Sequence, residues 1–171
     1  MKIQFEVPDD YPMILLAVVA LCFQCVLVSF FIVVPLRKKI FTPQVMEALA
    51  GDEHRKAFAG EKPPEMGFPD AGSGRYALSL DYKTWLEFNN GMRSHLNIVE
   101  QLPFIATFVL VGGLIAPSAA LYIAWFGVVA RTCYILGYAL FGPNARLIGA
   151  VAGNLPIYGL GFYSAYQLVK S

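Results

Sequence analysis

The chain has 171 residues, 57% of them hydrophobic and only 15% charged, with a mean hydropathy of +0.54 and a formal net charge of +1. That balance is too apolar for an ordinary soluble domain of this length, and a net charge so near zero gives no footprint for nucleic-acid binding. What remains is an all-α integral membrane protein with the lipid bilayer as its first partner.

Four segments, near 11–36, 94–115, 118–141 and 145–169, each offer about the 20 apolar residues that a hydrocarbon core of ~30 Å demands. They predict a single domain over 1–171, folded as a four-helix membrane bundle. The first segment is too long for the apolar core of a secretory signal and no small-residue cleavage pattern follows it, so it reads as a retained helix. Cys22 and Cys25 form a C-x-x-C pair at mid-span, where apolar surroundings raise a thiol pKa and argue against redox chemistry. With Cys133 they make three scattered cysteines and no disulfide framework.

Residues 37–93 hold nine Lys or Arg and eight Asp or Glu, with the breakers of EKPPEMGFPDAGSGRY, and read as a long polar connection with a short helix around Gln44–Phe58. His54 stands alone there and reads as solvated. Tyr82, Trp85 and Phe88 recur at helical spacing over 81–90, which predicts an amphipathic extension of the second span at the interface. Arg37-Lys38-Lys39 abuts the first span while Glu6, Asp9 and Asp10 precede it. The positive-inside bias then places the long loop on the side of the cytosol or an equivalent compartment and both termini opposite. Tyr11, Tyr122, Trp125, Tyr163 and Tyr166 fall near helix ends on the other face, as an aromatic belt would. Pro103 and Pro156 each remove a backbone hydrogen bond inside a span and predict kinks. Gly149 and Gly153 form a G-x-x-x-G and predict close helix packing.

Charges within the apolar half are few: Glu100, Arg131 and Arg146, with Arg93 and His95 at its entrance. Ionised groups at membrane depth are costly and face a bundle interior, a cavity or the interface. Four spans would bring Arg37, Arg93 to Glu100, Arg131 to Tyr138, and Arg146 into one layer on the loop side. That layer predicts an anion site. There is no metal-ligand spacing, phosphate loop or nucleophile triad.

RSHLNIVEQLP, Arg93 to Pro103, and RTCYILGYALFGPNAR, Arg131 to Arg146, resemble the two signature regions of the membrane-associated proteins in eicosanoid and glutathione metabolism, the MAPEG family. Pro103, three residues after Glu100, is similar to the microsomal glutathione transferase 2 and 3 type, and Arg37–Lys39 resembles the family's first-helix terminus. The resemblance implies a homotrimer in an endoplasmic reticulum or mitochondrial membrane, with glutathione as co-substrate held between subunits. It implies that Arg146 is the catalytic group beside the thiolate. Arg37, Arg93 and Asn97 would bind carboxylate and backbone groups, Glu100 the amino group, and Tyr134 and Tyr138 the tripeptide. Lys38 and His95 are candidate contacts to a lipophilic small-molecule substrate. Gln101 stands where some members have an aromatic residue, Lys38 where the eicosanoid-synthesising member has a second arginine, and the loop is longer than is common.

Elementary chemistry agrees with that set, since glutathione carries two carboxylates, an ammonium and a thiol. A free thiol has a pKa of about 8.5, which a nearby guanidinium lowers by favouring the thiolate. Tyr134 and Tyr138 are four residues apart and share a helix face, and Glu100 lies about 10 Å along a helix from Arg93. Plainer readings stand beside these. Arg93 and Glu100 could pair with Arg131 in a structural network, with Arg131 itself read as structural; His95 could be a packing hydrogen-bonder and Arg37–Lys39 only a topology signal. Two functions follow as expectations: a glutathione transferase or glutathione-dependent peroxidase acting on lipophilic electrophiles or lipid hydroperoxides, or a non-catalytic scaffold or accessory subunit that takes a protein partner through residues 42–80.

Overall fold

The computed structural model describes residues 6–170, with the side chains of residues 139 and 140 left aside. The described residues are helical with no strand. Four long helices dominate: α1 Tyr11–Ile40, then, after α2 Pro43–Ala57 and a short α3 Arg75–Leu78, α4 Tyr82–Ile115, α5 Pro117–Phe141 and α6 Arg146–Lys170. Three helices are long and apolar enough to cross a membrane: α1, α4, and α5 over Pro117–Tyr138. Helix α6 has the length but is diluted by Asn154, Pro156, Tyr158, Tyr163, Tyr166 and its glycines. The expected extension of the second span and the short helix of the polar segment are both present, as the first turns of α4 and as α2.

Prolines shape these rods without ending them. Pro35 has no N–H to give Phe31, and the turn just before it, Ser29–Val33, widens to π geometry, with Val34 N–H donating to the Ser29 carbonyl. Helices α4 and α6 run on through Pro103 and Pro156. Helix α2 starts where its sequence directs: Pro43 occupies the first turn, and the Thr42 hydroxyl accepts from Val45 N–H at 3.3 Å.

The chain packs as two compact units, one comprising the described residues up to Val26 and from Asn97 on, the other Leu27–Leu96. In the first, Ile14, Ala17, Val18 and Leu21 form one stripe of α1 and meet Ile105 and Val109 of α4, Ala120 and Ala124 of α5, and Ile157 and Leu160 of α6. Leu15, Leu16, Val19 and Phe23 on α1, and Leu147, Ile148, Val151 and Leu155 on α6, stay exposed. Apolar faces this continuous suit acyl chains rather than water.

The second unit encloses its own core of Val33, Ile40, Phe41, Met46, Ala77, Phe88 and Met92, with Phe41 and Phe88 edge to face at 4.9 Å. The segment that reads as a connecting loop is therefore packed around apolar side chains. Two polar groups hold it. Arg37 is only 3% exposed; its Nη1 donates to the Met66 carbonyl at 3.0 Å, its Nη2 donates to the Asp70 carbonyl, and its guanidinium lies over the Phe68 ring at 4.3 Å and the Phe88 ring at 5.2 Å. The Asp70 carboxylate accepts from Gly72 N–H at 2.8 Å, Gly74 N–H at 2.9 Å and Ala77 N–H at 2.8 Å. Gly67, at φ +67°, rests on Phe41, where a Cβ would lie 2.5 Å from the ring, so only glycine closes this turn.

Burial alone would raise the Asp70 carboxyl pKa, but the N–H groups of Ala77, Gly72, Gly74 and Tyr76 outweigh it and hold the group below its ordinary value. A depressed folded-state pKa contributes stability above the unfolded value of about 3.9, and that contribution disappears as pH falls through the folded value. Asp70→Asn should therefore open residues 58–81 to protease at neutral pH, at a cost of about 1–3 kcal/mol. It should also flatten the acid-induced rise in cleavage seen for the unsubstituted chain; equal cleavage of the two proteins at pH 7 would refute this.

Candidate functional site

The site begins with how closely α5 and α6 approach. A Cβ on Gly149 would fall 2.6 Å from Tyr134 N and 2.7 Å from the Ala130 carbonyl oxygen, and one on Gly153 would fall 3.0 Å from Ala130 Cβ. Backbone thus lies on backbone, the use expected of the G-x-x-x-G. Gly137 faces the Ala145 carbonyl in the same way, with a would-be Cβ at 3.0 Å. Gly142, at φ +84°, ends α5 where its N–H donates to the Tyr138 carbonyl, and Arg146 opens the next helix four residues later.

That hairpin brings together a row of the expected residues. The Arg146 guanidinium lies over the Tyr138 ring, 5.4 Å from its centroid; the Tyr138 and Tyr134 rings are 6.1 Å apart and roughly edge to face; and Asn97 Nδ2 on α4 donates to Tyr134 Oη at 3.0 Å. Both tyrosines are buried, Asn97 and Arg146 are half-buried, and Glu100, one turn on from Asn97, is exposed. The row runs from an amide through two phenols to a guanidinium, a line of hydrogen-bonding groups that ends in a cation over an aromatic ring. Arg93 and His95, exposed and half-buried, precede Asn97 on α4, and Lys38 is exposed near the end of α1. Arg37 is committed to the carbonyls described above.

Beneath the row lies a polar layer that the sequence reading largely missed. Arg131, 5% exposed, donates from Nη1 to Gln101 Oε1 at 2.9 Å, and the same oxygen accepts from Asn154 Nδ2 at 3.0 Å. The Arg131 guanidinium also sits 5.7 Å from the Tyr134 ring centroid. Also on α5, Gln24 Nε2 of α1 donates to the Val128 carbonyl at 3.0 Å and to Thr132 Oγ1 at 2.9 Å. These bonds tie α1, α4, α5 and α6 together where apolar surroundings make an unpaired polar group expensive. Arg131 thus takes the structural role read for it, with Gln101 as its partner. A signal existed in the sequence: Gln24, Gln101 and Asn154 are uncharged hydrogen-bonding side chains inside apolar runs, and such residues commonly bond between helices.

Gly149→Val should force α6 away from α5 and destabilise the protein by about 1–3 kcal/mol, the ordinary cost of overpacking, read as a lowered unfolding midpoint in detergent. Gly153→Ala, whose new methyl meets only Ala130 Cβ, should cost less. Equal midpoints for Gly149→Val and the unsubstituted chain would show that the contact does not set the hairpin.

The signature segments found in the sequence thus lie on α4 and on the α5–α6 hairpin, with their side chains forming one row. Residues 13–166, nearly the whole chain, match the model of the MAPEG family, and the protein belongs to that family.

Proposed function

We propose that the protein is a membrane-bound glutathione transferase or glutathione-dependent peroxidase whose second substrate is a lipophilic electrophile or lipid hydroperoxide arriving from the bilayer. The family contains such enzymes and also non-catalytic members. The observation that carries the catalytic reading is the row Asn97–Tyr134–Tyr138–Arg146, which unites an amide and a guanidinium of the two signature segments around one pair of rings. A scaffold has no need of a half-buried guanidinium stacked at its end.

In this proposal Arg146 stabilises the glutathione thiolate, Tyr134 and Tyr138 flank the tripeptide, Asn97 bonds its backbone, Glu100 meets its amino group, and Arg93 takes a carboxylate. Arg37 we assign to anchoring the 58–81 segment, because it is buried with both terminal nitrogens engaged. A thiol with a pKa of about 8.5 is mostly protonated at neutral pH, and each unit by which Arg146 lowers it is worth about 1.4 kcal/mol. Orientation and an apolar substrate concentrated by the membrane supply the rest. We further propose that α6 joins the three apolar helices as a fourth span, that the 27–96 unit faces the cytosol, and that the active form is a homotrimer.

The second reading, a non-catalytic member that presents lipid or holds a protein partner, is favoured by one observation: residues 27–96 form a folded unit with their own core rather than a bare connection.

Ultraviolet titration of glutathione bound to the purified protein separates the two. The unsubstituted chain should develop thiolate absorbance well below the pH at which free glutathione does. Arg146→Ala should shift that titration upward and lower turnover by tenfold to a thousandfold, about 1.4–4 kcal/mol, with a smaller effect on binding. Glu100→Gln should weaken binding and leave the thiol's ionisation nearly unchanged. A detergent-corrected mass of the glutathione-binding species should be that of three chains, and a thiol label at Gly72→Cys should react from the side opposite one at Lys170→Cys. Absence of both thiolate and activity against a panel of lipophilic electrophiles would sink the catalytic reading.

A further inference from the structure

Arg37 binds two carbonyls that stand on either side of an apolar pair. Its Nη1 donates to Met66 and its Nη2 to Asp70, and between those residues lie Gly67, Phe68 and Pro69. Gly67 is buried against the Phe41 ring, which closes the inner side of the turn. The outer side is Phe68, still 46% exposed with its ring centroid 4.3 Å from the Arg37 guanidinium, and Pro69, also exposed. The Asp70 carboxylate ties the downstream end to the N–H groups of Gly72, Gly74 and Ala77. A tip pinned at both ends cannot turn its phenylalanine inward without giving up bonds to a buried cation.

Helix lengths give the level of this tip. At 1.5 Å per residue the apolar run of α1 from Tyr11 to Leu36 is about 39 Å long, close to the ~40–45 Å of a bilayer with its headgroups. Arg37, the next residue, therefore stands among the headgroups on the loop side. Helix α4 gives the same level from a second direction. The Arg37 Nη2 lies 3.6 Å from Met92 Sδ, and the apolar half of the chain opens at Ser94, about 3 Å further along the helix. A headgroup layer is about 5–7 Å deep, so the guanidinium and the ring stacked on it fall inside it. Phe88, which its helical spacing assigned to the interface, is 0% exposed in the core of the 27–96 unit. Phe68 is the phenylalanine left open at that level, and an amphipathic setting between acyl chains and water favours an aromatic ring.

We propose that the Met66–Asp70 tip is a membrane-docking element: Phe68 and Pro69 insert among the lipid headgroups on the loop side, and Arg37 holds them there. The partner is the bilayer surface, and zwitterionic phosphatidylcholine suffices because the inserted groups are apolar. This docking does not depend on the glutathione reading.

The test uses the full chain in phosphatidylcholine vesicles, with Trp85→Phe and Trp125→Phe so that a single indole reports. Trp85 Nε1 has no hydrogen-bond partner, so its exchange breaks no such bond. In Phe68→Trp on this background the emission should be blue-shifted, quenched by phosphatidylcholine brominated on the upper acyl carbons, and protected from acrylamide. Tyr82→Trp is the control, at a position 73% exposed and about 15 Å further from the span than Met92 on the same helix. It should show about a third or less of the bromolipid quenching and stay open to acrylamide. A second measurement needs no substitution: the unsubstituted chain is irradiated with phosphatidylcholine bearing a diazirine at the glycerol end of one acyl chain. Label should fall on residues 66–70 and be about fivefold weaker on 76–83. Acrylamide reaching the reporter of Phe68→Trp as freely as that of Tyr82→Trp, or equal bromolipid quenching of the two, would overturn the proposal. So would protection of the Phe68→Trp reporter from both quenchers, which would mean that protein covers the tip, or diazirine label absent from 66–70.

Discussion

The packing of α5 against α6 depends on one contact: the backbone of Gly149 on the backbone of Tyr134. Helices in a bilayer gain little by hiding apolar surface from lipid, so their association rests on close van der Waals fit and on interhelical hydrogen bonds. Gly149 and Gly153 supply the fit by having no side chain. Because α6 approaches at that distance, Arg146, one turn before Gly149, falls over Tyr138, one turn after Tyr134. The guanidinium's place is thus a consequence of two missing side chains.

Hydrogen bonding fixes what close approach alone leaves free. Gln101 Oε1 receives both Arg131 and Asn154, and Gln24 reaches α5, so rotation of any one of the four long helices would break a bond that has no solvent substitute. The layer also supports the row above it, since Arg131 lies beside the Tyr134 ring whose hydroxyl accepts from Asn97. Structure and candidate chemistry share a residue type here but divide it: Arg131 is buried in the layer, and Arg146 remains half-buried at the end of the row.

The 27–96 unit solves a different problem with different means. Its segment between α2 and α4 is rich in proline and glycine and makes few regular backbone bonds, so its turns are held by one buried cation from outside, Arg37, and one buried anion of its own, Asp70. Arg37 takes two carbonyls and Asp70 takes three N–H groups, and between them they account for polar groups that the segment's own turns leave open.

From its sequence alone the chain declares an all-helical membrane protein, the positions of its long helices to within a few residues, and membership of its family, because hydropathy and spacing are local properties that survive without coordinates. The G-x-x-x-G could be read as a packing signal for the same reason, and so could the helix around Gln44–Phe58. Tertiary structure decided what depends on partners distant in sequence. Arg37 looks like a topology signal or a ligand contact until Met66 and Asp70, 29 and 33 residues away, close over it. Gln24 and Asn154 look like interruptions of apolar runs until each finds its acceptor on another helix. The polar segment looks like a connection until Phe41 and Phe88, 47 residues apart, meet edge to face at 4.9 Å. Burial of a polar or aromatic group is a property of its surroundings, and those are assembled only when the chain folds.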